Sequence, residues 1–348
     1  AGMAVADVAL TGRAEMGIFG SDADDDDADF FTDIDVTFTM SGETDGGLSF
    51  GASVDLDEGG DGSDASDNNE EDGGATIFIS GGFGTVTMGD TDGALDWALT
   101  DAGNINNGGS IADDETEHGG YLGAYLDGAY DGQIARYDYS FGDFGVAVSA
   151  EMDDSDTDDD RDSGYAVGFR YSTDLGGATI NAGLGYQQAE FSFTDFLGQD
   201  LDGIAAVDFD EANPGTAAVA DVAFTGDASI IGLSLGADFN NGLAVGMTYT
   251  DWDFDFDADA LDDVDSGTHV GLGIGYVTGA LTLHANYGQY DIDDFAVVSG
   301  YGLSAAYDLG GGAVVHAGYG HTDVDLDSDV GDDPDSVGTY SLGLGLSF

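Results

Sequence analysis

Apolar and polar residues alternate at period two along most of the chain, which sends them to opposite faces of β-strands. In "FTDIDVTFTM", residues 31–40, Ile34, Val36, Phe38 and Met40 share one face, and Asp33, Asp35, Thr37 and Thr39 share the other. Upstream, Val8, Leu10, Ala14, Met16 and Ile18 oppose Asp7, Thr11, Arg13 and Glu15; downstream, Leu48, Phe50, Ala52, Val54 and Leu56 oppose Ser49, Ser53, Asp55 and Asp57. Near the end, "AGYGHT" and "SLGLGLSF" keep the rhythm with Gly and Ser at the non-apolar positions. The connections alternate in length. Short turns fall near 41–47, 81–84, 142–143, 174–177, 240–242, 278–280 and 308–312. Longer acidic segments fall at 21–29, 57–74, 90–132, 152–163, 188–227, 251–267, 290–296 and 321–336. They delimit about sixteen strands, of the roughly ten-residue length that crosses a bilayer when tilted.

The pattern therefore predicts an all-β chain, a transmembrane antiparallel β-barrel of about 16 strands. A single barrel domain uses residues 1–348, with both termini on the short-turn side. A soluble sandwich or propeller also produces repeated alternation. Two features favour the membrane: the long–short rhythm of the connections, and aromatics at the ends of the apolar faces. Tyr186, Tyr249, Trp252, Tyr276, Tyr287, Tyr301, Tyr307, Tyr319 and Tyr340 suit interfacial girdles.

Composition sharpens this picture. Seventy-one acids face four basic residues, Arg13, Arg136, Arg161 and Arg170, with no lysine, for a formal charge of -67. Such a charge repels phosphate backbones and excludes nucleic acid as a partner. Apolar residues make up 42% of the chain and are regularly spaced, which argues against the disorder that high charge usually signals. No apolar run approaches the ~18 residues of a membrane helix. With no cysteine, thiols say nothing of redox compartment. The start, "AGMAVADVAL", lacks a charged n-region and an h-region, so either no signal was present or the numbering begins after its removal.

The remaining motifs carry little chemistry. "DADDDDAD" and "DDSDTDDDRD" read as solvated loop faces before they read as calcium sites. In "DVDLDSDVGDD", Asp325, Asp327 and Asp329 alternate, but Val330 stands where an EF-hand loop needs glycine. Calcium between acidic loops is an expectation without named ligands. Gly271, Gly273 and Gly275 fall at period two on one strand, as small lumen residues rather than a phosphate loop. His118, His269, His284, His316 and His321 lack metal-ligand spacing and read as wet pore or loop residues. No arrangement suggests a nucleophile or base, so no enzyme is expected and no cofactor is required.

The terminal "YSLGLGLSF", ending on Phe348, together with "VALTGRAEMGIF", "FTMSGETDGGLSFGASVDLD" and "SGGFGTVTMGDTDGALD", resembles general diffusion porins of the Gram-negative outer membrane, especially those of purple bacteria. That resemblance implies a homotrimer of sixteen-stranded barrels in outer-membrane lipid and lipopolysaccharide, each with a water-filled pore. It implies that the third long loop, about 90–132, folds inward and narrows the channel with its acids. These are Asp90, Asp92, Asp96, Asp101, Asp113, Asp114, Glu115, Glu117 and Asp127. The loop at 57–74 would reach a neighbouring subunit. The departure is on the wall, where Glu15, Asp33, Asp35, Ser53 and Asp55 stand where the family typically carries basic residues. Arg13, Arg136 and Arg170 remain as candidate pore-facing cations. Arg13 depends on which face of its strand turns inward, whereas Tyr137, Tyr139, Phe169 and Tyr171 claim the outer face opposite the other two. Arg136 and Arg170 serve either as structural ion-pair partners or in solute selection.

The expected function is passive passage of small hydrophilic solutes and cations, because rings of acids favour cations in a pore. Unpaired acids at this density also point to a high-salt habitat, where a Debye length of ~3 Å at ~1 M screens their repulsion. A substrate-specific channel and a plugged structural or adhesive barrel are the alternatives.

Overall fold

The computed structural model describes residues 7–22, 28–59, 74–113, 115–127, 133–152, 163–192, 225–256, 264–327, 333–334 and 336–348. Its first strands are β1 (Asp7–Ser21), β2 (Asp29–Glu43), β3 (Ser49–Gly59), β4 (Ala75–Gly81) and β5 (Gly84–Gly89). After a long excursion come β6 (Ile134–Phe141), β7 (Phe144–Glu151), β8 (Gly164–Asp174) and β9 (Ala178–Ser192). Then follow β10 (Thr225–Phe239), β11 (Leu243–Phe256), β12 (Ser266–Thr278) and β13 (Leu281–Ile292). The last three are β14 (Ala296–Gly310), β15 (Ala313–Leu326) and β16 (Val337–Ser347). Every strand pairs antiparallel with its sequence neighbours, and β1 pairs with β16, so the sheet closes into a sixteen-stranded barrel with no free edge.

The alternation sets which way each strand faces. Met16, Ile18, Ile77, Met88, Phe169, Leu184, Leu233, Leu272, Leu303 and Leu342 are exposed on the outer surface. An apolar surface this extensive is the face of a protein that lies in lipid. No described helix is long and apolar enough to cross a membrane, so the strands are the spanning elements. Tyr249, Tyr276, Tyr287, Tyr301, Tyr307, Tyr319 and Tyr340 stand outward among them, as the girdle expectation requires. Trp252 does not. It is 2% exposed, and its indole N–H donates to Thr250 Oγ1 at 2.7 Å on the inner face.

The displaced tryptophan marks a wider inversion. Above Tyr249, the outward positions of β11 become Asp251, Asp253 and Asp255, while Trp252, Phe254 and Phe256 turn inward. Asp291 on β13 and Asp323 and Asp325 on β15 likewise stand exposed, with Ile292 and Val324 buried inside. This apolar set continues through Ile230, Tyr290 and Val298 into a core within the barrel. Because the greasy face changes sides, the sequence pattern reads as a loop there. The strands in fact run on: β11 reaches Phe256 instead of stopping near 251, and β15 reaches Leu326 instead of 321. The short turns lie where expected. Between β14 and β15, Gly310, Gly311 and Gly312 have φ of 83°, 69° and 87°, a region that L side chains resist.

A loop seated on the inner wall

The excursion between β5 and β6, here called L3, occupies the lumen. It opens with a single helical turn, α1 (Ala94–Ala98), packed on β7, β8 and β9. A 3-10 turn, Ala102–Asn104, then packs on β11, β12 and β13. Further on, Ile111 lies over Gly17 of β1 and Gly343 of β16, and Glu115 lies over Gly318 and Gly320 of β15. The returning limb ends beside its own start: the Asp127 carboxylate accepts from Gly93 N–H at 2.6 Å and from Gln187 Nε2 at 2.7 Å. L3 is therefore laid against the inner face from β7 through β16 and on to β1.

The wall under it is built to be covered. A Cβ added at Gly168 or Gly183 would collide with Ala94 O or Ala98 O of α1. At Gly273, Gly275 and Gly288 it would collide with Ala102 O, Ile105 O and Gly120 O. The glycines at 271, 273 and 275 thus face inward, and the loop takes the space their missing side chains leave. Between them, small polar side chains satisfy the loop's backbone, which a buried loop requires. Ala94 N–H donates to Ser149 Oγ (2.9 Å), Thr100 N–H to Ser234 Oγ (2.7 Å) and Gly119 N–H to Thr322 Oγ1 (2.9 Å). In return Thr248 Oγ1 donates to Thr100 O (2.6 Å), and Asn286 Nδ2 donates to Thr116 O (2.6 Å) and Gly103 O (2.9 Å).

The histidines belong to the same seam. His118, His269, His284 and His316 are buried, not wet. His269 Nε2 lies 2.9 Å from Gly120 O, and His316 Nδ1 lies 3.0 Å from Gly109 O. A sequence signal existed: His269, His284 and His316 occupy inward positions that continue into glycines two or four residues on. An inner wall losing its side chains beside a polar anchor is a wall something sits on.

Opposite, β2 to β6 keep their polar side chains, and β1 carries Arg13 and the buried Glu15 at the border. Arg13 Nη2 donates to Glu15 Oε1 at 2.8 Å, and both turn inward with the outer face taken by Met16 and Ile18. Across the ladder Glu15 stands in register with Asp33 and Arg13 with Asp35. Thr37 Oγ1 donates to Asp55 Oδ1 at 2.9 Å. Arg136 on β6 lies 3.7 Å from Asp92 and 3.7 Å from Asp138, and donates to Asp92 O. On the covered side, Arg170 of β8 stacks over the Trp97 indole at 3.7 Å and donates to Trp97 O at 3.4 Å. Both arginines thus grip the first limb of L3.

The acids of L3 do not share one environment. Asp90 and Asp92 are exposed at its root. Burial, then Asp127, Asp92 and Asp101, push the Asp96 carboxyl up to about 8. Burial, then Asp113 and Asp101, raise Glu117 to about 7, although the residue as a whole is exposed. Burial also raises Asp127 to about 7 against the bonds from Gly93 and Gln187. It raises Asp101 too, which Tyr121 Oη (2.8 Å) partly offsets. Asp113 accepts from Ser110 N–H at 3.2 Å and acts on Arg13. Glu115 departs from the expectation of a lumen acid. It is fully buried behind the loop, held by the Ser110 hydroxyl, because the glycines of β15 admit it there. Asp114 lies outside the described residues, as do most of the 57–74 loop, the acid runs at 23–27 and 153–162, and Asp329. Among the described residues no group of three or more His, Cys, Asp or Glu side chains is placed to hold a metal ion.

A family model described as Gram-negative porin matches residues 1–327. A porin of Rhodobacter capsulatus is 31% identical over 338 residues, covering 93% of this chain and 98% of the relative. A solved porin structure superposes with a TM-score of 0.66 at 29% identity, covering 98% of this chain and all of the other. A mutant of Rh. blastica porin superposes at 0.60 with 19% identity and the same coverage, a likeness of fold.

Proposed function

The chain belongs to the Gram-negative porin family, an outer-membrane channel barrel and not an enzyme, and on that premise we propose that its pore selects cations. It passes small hydrophilic solutes and ions down their gradients through the space between L3 and the β2–β6 wall. The observation that carries this is the distribution of charge around that space. Asp33, Asp35 and Asp55 stand on the wall, with Glu15 buried beside Arg13, and Asp92, Asp96, Asp101, Asp113 and Glu117 on the loop. Each described arginine of the inner face is engaged: Arg13 with Glu15, Arg136 with Asp92 and Asp138, Arg170 with Trp97. Where ionised, carboxylates on both sides lower the potential for cations across the whole cross-section instead of setting up a transverse field, with Asp96 joining only above about pH 8. The test is the reversal potential of a single channel in a KCl gradient. Cation preference is expected, and anion preference would end the proposal.

Two further features belong to this reading. Strands β4 and β5 have 7 and 6 residues, fewer than the ~9–11 a tilted transmembrane strand needs. Their outward Ile77, 65% exposed, and Met88 make a low apolar wall that a second copy of the chain would cover, as in a homotrimer. The charge of -67 suits a hypersaline medium, in which screening removes most of its self-repulsion. Calcium held by the acidic outer loops would add to that screening.

A further inference from the structure

We propose that His284 is a positioning residue that holds L3 as an imidazolium, donating one ring N–H to Ile105 O and the other to Gly103 O. Nδ1 lies 2.8 Å from Ile105 O and Nε2 lies 2.7 Å from Gly103 O. A carbonyl oxygen only accepts, so each ring nitrogen must donate. Neutral imidazole carries one N–H; the imidazolium carries two. The other wall histidines make the contrast. His269 meets a loop carbonyl through Nε2 and His316 through Nδ1, a demand that a neutral ring satisfies. His284 alone among these three bridges two carbonyls.

The surroundings supply the counter-charge. Burial of the ring works against its charge, while the bonds to Ile105 O and Gly103 O and the Asp101 carboxylate of L3 work for it. That carboxylate is fixed by Tyr121 Oη at 2.8 Å and Asn104 N–H at 3.2 Å. The residues in register on the flanking strands, Gly275 on β12 and Ser304 on β14, carry no charge, and neither do Thr282 and Asn286 on β13. Loss of the second ring proton would set a nitrogen lone pair against a carbonyl oxygen at hydrogen-bond distance. One of the two bonds would then fail, and the 3-10 turn Ala102–Asn104, the middle of the loop's first limb, would loosen from the wall. Proton occupancy of a residue behind the loop thus sets how firmly the pore's narrow edge is held. The proposal rests on L3 being the constriction.

Two measurements on the full chain test it. In detergent-solubilised protein with 15N-labelled histidine, the His284 ring, assigned through its contacts to Gly103 and Ile105, should show both nitrogens protonated at pH 7. In planar bilayers, His284→Gln should flicker between substates several-fold more often than the wild type at pH 6.5. The wild type should approach the variant as pH rises, whereas His284→Arg should stay quiet. Carboxylate titration is common to all three channels and cancels in the comparison. A neutral His284 ring at pH 7 overturns the proposal, as does equal flicker in wild type and His284→Gln at every pH. If the variants fail to fold, the wild-type spectrum decides. A conducting channel with a neutral His284 leaves the channel reading standing, whereas a protein that never conducts removes that reading and not the protonation result.

Discussion

The inner wall is two walls. From β7 to β16 it offers glycine, serine, threonine, asparagine and buried histidine, and the loop lies on it backbone against backbone. From β2 to β6 it keeps aspartate, serine and threonine facing the space that remains. The first half gives up its side chains to hold a loop; the second keeps them and meets the solute. A mutation should therefore disturb loop seating on one side and ion preference on the other.

The covered half is the more fragile. Gly288→Leu forces side-chain volume into the contact with Gly120. Overpacking of this kind costs about 1–3 kcal/mol. It should dislodge L3, lowering the midpoint of thermal unfolding and raising single-channel conductance. Thr39→Leu on the bare half should leave stability nearly unchanged, and equal losses at the two positions would erase the distinction.

Charge should matter most on the bare half. A unit charge ~4 Å from a passing ion is worth ~1 kcal/mol in water, or roughly fivefold in partition. Asp35→Lys should thus lower the cation-to-anion permeability ratio several-fold, read from the reversal potential at ~0.1 M salt. Glu115→Gln, behind the loop, should move it far less.

pH separates the halves more gently. Asp96 titrates at about 8, and Glu117 and Asp127 at about 7, so cation preference should strengthen between pH 6 and 9 as they ionise. Stability runs the other way. These carboxyls bind protons more tightly folded than unfolded, so their contribution is complete below pH ~4 and is lost as pH rises through 7 to 8. Unfolding midpoints against pH, with Asp96→Asn as the variant that flattens the slope, would check the sign.

The smallest effect concerns the outside. Raising NaCl from low to ~1 M should increase the unfolding temperature, and chelating divalent cations should lower it only at the low-salt end. Indifference to salt would remove the halophilic reading.

Period-two alternation was enough to place sixteen strands and both kinds of connection, because the lipid face imposes one rule on each strand's outer residues. It failed above Tyr249, where lipid ends and Trp252, Phe254 and Phe256 turn into the barrel. The acids of L3 were legible as a group, but their environments were not. Glu115 and His284 are set by contacts across 170 or more residues of chain, such as Asn286 to Thr116, and no local pattern encodes such pairs. The glycine runs at 271–275 and 318–320 were visible; that they are a seat needed the loop's path.

The chain has no cysteine, so a single introduced thiol reports water at its own position. Thr37→Cys on the bare wall and Ser304→Cys under the loop, each treated with a cationic methanethiosulfonate during single-channel recording, test the two-walled lumen most directly. The account predicts prompt modification with a stepwise fall in current for Thr37→Cys and none for Ser304→Cys, whose parent residue is 5% exposed. Equal reaction at both, or reaction at Ser304→Cys alone, would contradict it.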